Sequence, residues 1–111
     1  MGISTHILDT SRGRPADNVA IVLEREVAAD GPFERVAAGT TDADGRLKLV
    51  TGEPVAGTYR LRFAIGEYFW RNAQEAFFPV AEVAFVVKNT TEHYHVPLLL
   101  NPFGYSTYRG S

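Results

Sequence analysis

Cysteine is absent from this chain, which excludes disulfides, thiolate nucleophiles and cysteine-bound metals and leaves the redox compartment open. No apolar run approaches the ~20 residues needed to span a bilayer, and no apolar targeting stretch opens the sequence. Met1-Gly2 begins like a myristoylation signal, but His6 stands where a serine or threonine is wanted. Asn89-Thr90-Thr91 is a glycosylation sequon, relevant only to a secreted chain, and nothing directs secretion. Basic runs with interleaved aromatics are also missing; with a formal charge of −2, this argues against a nucleic-acid partner. No Gly-x-Ser-x-Gly elbow surrounds any serine, so a covalent serine hydrolase is not expected. The expectation is a soluble, cytoplasmic protein with no membrane attachment.

What is present is β-pattern. The 111 residues are 45% apolar and 22% charged, the balance of a single domain spanning 1–111 with an ordinary core. Val19, Ile21 and Leu23 alternate with Ala20, Val22 and Glu24; Tyr59, Leu61 and Phe63 with Arg60, Arg62 and Ala64; Val83, Phe85 and Val87 with Ala84, Val86 and Lys88. Such alternation buries one face of an antiparallel strand and wets the other. Turn signals separate these runs at Asp30-Gly31-Pro32, Asp42-Ala43-Asp44-Gly45, Gly52-Glu53-Pro54 and Asn101-Pro102-Phe103-Gly104. With strands at 3–8 and 105–110, the pattern predicts an all-β, eight-stranded, two-sheet antiparallel sandwich. Ile65, Tyr68, Phe69 and Ala73 recur at helical spacing, so one short helix is expected over 65–76.

Strand parity sorts the side chains that could do chemistry. In the first strand Ile3, Thr5 and Ile7 share one face, and Ser4, His6 and Leu8 the other. If the isoleucines face the core, His6 faces outward, where a lone histidine is ordinarily a surface residue. Near the end, His93, His95, Pro97 and Leu99 share a face, as do Ser106, Tyr108 and Gly110. His-x-His on a strand can be half of a zinc site, but no carboxylate ligand stands beside it, so no metal is expected. Asp42-x-Asp44-Gly45 lacks the rest of a calcium loop and is a turn. Arg46, just beyond it, is either a solvated guard of a sheet edge or a planar fork for an anion or developing oxyanion. Ser111 adds a hydroxyl and a carboxylate. Two histidines, an arginine and a serine suit water attack on an electron-poor carbonyl, with a histidine of pKa about 6.5 as general base.

These residues also carry a resemblance. Ser4-Thr5-His6-Ile7-Leu8-Asp9-Thr10, Gly13-Arg14-Pro15-Ala16, Thr41-Asp42-Ala43-Asp44-Gly45-Arg46, and Tyr94-His95-Val96-Pro97-Leu98-Leu99-Leu100 through Tyr108-Arg109-Gly110-Ser111 resemble the 5-hydroxyisourate hydrolases of the transthyretin superfamily. The similarity covers nearly the whole chain, and Tyr-Arg-Gly-Ser is its most specific motif. It implies a transthyretin-like sandwich assembled as a homotetramer, a dimer of dimers with sites at the subunit interface around a central channel. It implies hydrolytic opening of 5-hydroxyisourate across N1–C6 to 2-oxo-4-hydroxy-4-carboxy-5-ureidoimidazoline, in urate degradation to allantoin, with no cofactor. The family's catalytic positions fall on His6, Arg46, His95 and Ser111, and Pro97, Leu99, Ser106, Tyr108 and Arg109 join them in substrate binding. Which histidine is the base is left open. Asn101 departs from the family, standing where a serine is common, and His93 lies outside its motif. A competing expectation is a transthyretin-type carrier of a small aromatic ligand. Carriers have a small residue at the Tyr108 position, where a tyrosine would close the channel floor. A plain adhesion or spacer sandwich is the third reading, since fold alone does not fix function.

Overall fold

A computed structural model describes residues 1–111. In chain order the elements are β1 (Gly2–Asp9), β2 (Arg14–Pro15), β3 (Ala20–Glu26), β4 (Phe33–Thr40), β5 (Arg46–Thr51), β6 (Gly57–Phe63), α1 (Ile65–Arg71), β7 (Ala81–Val87), β8 (His93–Asn101) and β9 (Gly104–Thr107). One sheet runs β4-β3-β6-β7; the other runs β2-β1-β8-β9, with β5 also paired to β1. The expected sandwich is present, with β2, a two-residue strand, added to the eight expected strands.

The alternation read from the sequence lays the core between the sheets. Ile3 and Ile7 of β1, Ile21 and Leu23 of β3, Leu61 and Phe63 of β6, and Leu98 and Leu100 of β8 are fully buried. Each such side chain stabilises the fold by roughly 1.5–3 kcal/mol relative to exposure. Ser4, His6 and Leu8, and His93, His95, Pro97 and Leu99, are therefore left on the outward face of the β1/β8 sheet.

Three features differ from the sequence expectation, each for a local reason. The β1–β8 pair is parallel, because the chain crosses the other sheet before it returns beside its first strand. The helix ends at Arg71 rather than near residue 76: Ala73 takes a left-handed φ of 56°, and the Ala73 and Gln74 amides donate back to the Trp70 and Phe69 carbonyls. This is a Schellman-type stop with alanine in the place glycine usually fills. Strand β9 ends at Thr107 rather than 110. Its ladder with β8 lapses opposite Pro97, which has no N–H to donate, and re-forms as a bridge between His95 and Gly110.

Helix α1 is tied to the end of β1 by one buried bond. Tyr68 Oη donates to Asp9 Oδ2 at 2.8 Å, while Asp9 Oδ1 accepts from the Ser11 amide and hydroxyl. Asp9 is 0% exposed, and these donors offset the cost of burying its carboxylate. Burial and then the Asp9 bond push the Tyr68 phenol up to about 12. No helix is long and apolar enough to cross a membrane.

Candidate active site

Register, more than any single residue, builds the site. Along β1 and β8 the parallel pairing sets Ser4 beside His95 and His6 beside Pro97. Along β1 and β5 the antiparallel pairing sets His6 across from Arg46 and Ser4 across from Lys48. Three strands thus present Ser4, His6, Arg46, Lys48, His93 and His95 on one outward face, and the bridge to His95 carries Gly110 to the same place.

A turn fixes where Arg46 enters. Asp42 Oδ1 accepts from the backbone amides of Asp44 and Arg46, both at 2.9 Å. Gly45 has φ of 75°, and a Cβ there would lie 2.5 Å from the Ile7 carbonyl oxygen, so only glycine suits the corner. The turn therefore starts β5 with the Arg46 guanidinium in solvent and without an ion pair or hydrogen bond to any protein group. An unengaged planar fork of this kind is ready to grip an anion.

The resulting cleft has a volume of about 430 Å³, with Ser4, Arg46, Lys48, His93, His95 and Ser111 on its wall and Leu47 as its one apolar lining residue. Ser4 Oγ lies 2.8 Å from His93 Nε2 and 2.9 Å from His95 Nδ1. The two rings are close to parallel, 6.5 Å between centroids. Burial lowers the His95 pKa below the usual 6.5, and electrostatic interaction with the neighbouring His93, His6 and Arg46 lowers it further. His95 is thus held as a neutral imidazole, the form that accepts a proton.

Gly110 lies against that ring. Its amide donates to the His95 carbonyl at 2.8 Å, and a Cβ on it would lie 2.6 Å from His95 Cδ2 and 3.2 Å from Pro97 Cγ. A side chain at 110 would therefore collide with the imidazole.

Of the residues singled out from sequence, Arg46, His95 and Ser111 meet on the cleft wall. His6 sits behind it, opposite Arg46 and close enough to His95 to depress its pKa. Pro97, Leu99 and Ser106 follow the same face by register but lie outside the cleft of one chain; Tyr108, beyond the end of β9 and 57% exposed, lines a separate pocket with Val83, Val86, Tyr94 and Val96. Arg109 lies apart from the cleft wall: its guanidinium sits 4.5 Å above the Tyr94 ring and pairs with Glu92 at 3.5 Å. Sequence reasoning left Ser4, Lys48 and His93 out of the site, although each lies two residues from a chosen one on the same strand face. No group of three or more His, Cys, Asp or Glu side chains is gathered so as to hold a metal ion.

A profile described as the HIUase/Transthyretin family matches residues 3–110. The 5-hydroxyisourate hydrolase of Caulobacter vibrioides is 47% identical, over 99% of this chain and 98% of that protein. Among solved structures, the 5-hydroxyisourate hydrolase of Klebsiella pneumoniae superposes with a TM-score of 0.86 at 40% identity, covering 98% of this chain and 92% of that one. Sea bream transthyretin in complex with thyroxine superposes with a TM-score of 0.91 at 34% identity, covering 99% and 95%.

Proposed function

The chain belongs to the HIUase/Transthyretin family, and from that premise we propose that it hydrolyses 5-hydroxyisourate to 2-oxo-4-hydroxy-4-carboxy-5-ureidoimidazoline, as one domain spanning 1–111. The carrying observation is the polar cleft, which brings a neutral histidine beside an unpaired arginine. Water attacks C6 of the substrate while His95 takes its proton. Arg46 holds the substrate's anionic edge and the oxygen on which charge develops. The N1–C6 bond then breaks, N1 receives the proton, and C6 becomes a carboxylate. Ser111 orients water or substrate through its hydroxyl, and His6 adds to the positive field around the reacting carbonyl. The reaction adds water and changes no oxidation state, so its chemistry asks for no redox carrier.

The backbone does not separate hydrolase from carrier, since the transthyretin fold fits as well as the hydrolase. The site does. A carrier of an aromatic ligand needs a pocket lined mainly by apolar and aromatic side chains, and eight of the nine residues lining this cleft are polar or charged, Leu47 being the exception.

Replacing Arg46 with lysine tests the assignment. Charge is kept but the two-pronged grip is lost; a charge-assisted contact is worth about 1.5–3 kcal/mol, so turnover should fall roughly tenfold to a hundredfold. Activity equal to the parent would make Arg46 a solvated hairpin residue.

The assembly we propose is a homotetramer, a dimer of dimers. Leu8, Pro97 and Leu99 share the histidine-bearing face, and covering them would also enclose the open side of the cleft. Light scattering should give four chains per particle; monomer alone at micromolar concentration would remove the shared site.

A further inference from the structure

Ser4 stands between two imidazoles, its Oγ 2.8 Å from His93 Nε2 and 2.9 Å from His95 Nδ1, and it is only 8% exposed. A serine hydroxyl has one proton to give, so it can satisfy a lone pair on one ring only. At least one ring must present N–H to it. If both rings donated, the Ser4 proton would be left without an acceptor in a nearly closed place, which is costly.

Two satisfied arrangements remain, and they differ at the atom that matters. In one, His95 Nδ1–H donates to Ser4, whose hydroxyl donates to His93 Nε2; the His95 Nε2 lone pair is then free. In the other, His93 Nε2–H donates to Ser4, whose hydroxyl donates to His95 Nδ1; a neutral His95 then carries its proton on Nε2 and has no basic nitrogen left for water. The hydrogen-bond chain therefore couples the state of His93 to the tautomer of His95.

We infer that Ser4 and His93 are positioning residues for the reaction: the His93 Nε2 lone pair, acting through the Ser4 hydroxyl, holds His95 in its Nδ1–H tautomer and leaves Nε2 to accept the proton of the attacking water. The inference rests on the reading of His95 as the base. Arg46 and Lys48 from β5 and His6 from β1 are the basic groups on the same face, with Asp42 and Ser111 at its margin.

The experiment reads the tautomer and the rate separately. In the intact protein with nitrogen-15-labelled histidines, long-range proton–nitrogen correlation should show His95 protonated on Nδ1 and bare on Nε2. His93→Phe removes the acceptor and frees the Ser4 hydroxyl to donate to His95 Nδ1. The His95 proton should then move to Nε2 and kcat fall at least about tenfold with KM little changed, because a base in the wrong tautomer is disabled. His93→Gln sets an amide oxygen near the lost nitrogen and should restore both the tautomer and most of the rate. A wild-type His95 protonated on Nε2, or a tautomer unmoved by His93→Phe, overturns the inference. A tautomer that switches while kcat stays at the parent level leaves the pairing standing and overturns His95 as the base.

Discussion

His95→Gln should lower kcat about a hundredfold to ten-thousandfold, the range over which general bases contribute. Glutamine keeps a polar group on the cleft wall and a similar length, but its amide takes no proton near neutral pH. The pH profile makes the result specific. Burial, then electrostatic interaction with His93, His6 and Arg46, lowers the His95 pKa. A lowered pKa keeps the imidazole neutral to more acid pH than usual, so the base is available there. In the parent, kcat/KM should fall on the acid side only below about 6.5, the ordinary histidine midpoint. In the variant that limb should disappear with the residual activity. Turnover within a few-fold of the parent, or an unchanged acid limb, would move the base to His6.

Gly110→Ala should cost about a hundredfold in kcat/KM, the order expected when a catalytic group is displaced by about 1 Å. The new methyl would stand 2.6 Å from His95 Cδ2, with Pro97 Cγ 3.2 Å away on its other side. A proline ring pinned in a central strand cannot yield much, so the imidazole must swing. In doing so it leaves Ser4 and loses the bond that orients it. One lost hydrogen bond changes stability by about 0.5–1.5 kcal/mol, so folding should survive while catalysis does not. Parental activity would show that the ring tolerates rotation and that the glycine serves the backbone bridge alone.

The architecture was legible because a sandwich imposes period two on nearly every strand. The faces of residues 3–7, 19–23, 59–63 and 94–100 all followed from parity. Features that depend on pairing partners were not legible. Nothing in the order of residues says that the first strand lies parallel to the eighth, and it is this register that brings Ser4 between His93 and His95. Ala73 continued the helical spacing, yet its backbone turns left-handed, against alanine's propensity. Pro97 did carry a signal of the lapse beside Tyr108 and Arg109, since a proline cannot serve a ladder on both sides. Arg109 is instructive in another way. The family resemblance suggested it for substrate binding, and strand parity does not reach it, since β9 ends at Thr107. The candidate site, in short supply of apolar residues and rich in groups two apart on single strands, was half visible: each strand showed its own members, and only the folded sheet joined them.

The measurement that bears most directly on the account is the decay of freshly generated 5-hydroxyisourate in the presence of the intact protein. The account predicts that decay accelerates in proportion to protein added, far above the spontaneous rate, with many turnovers per chain and a product bearing one new carboxylate. It also predicts that calorimetry with thyroxine shows no tight, stoichiometric binding. Decay at the spontaneous rate, together with saturable uptake of thyroxine, would contradict it and return the chain to the carriers.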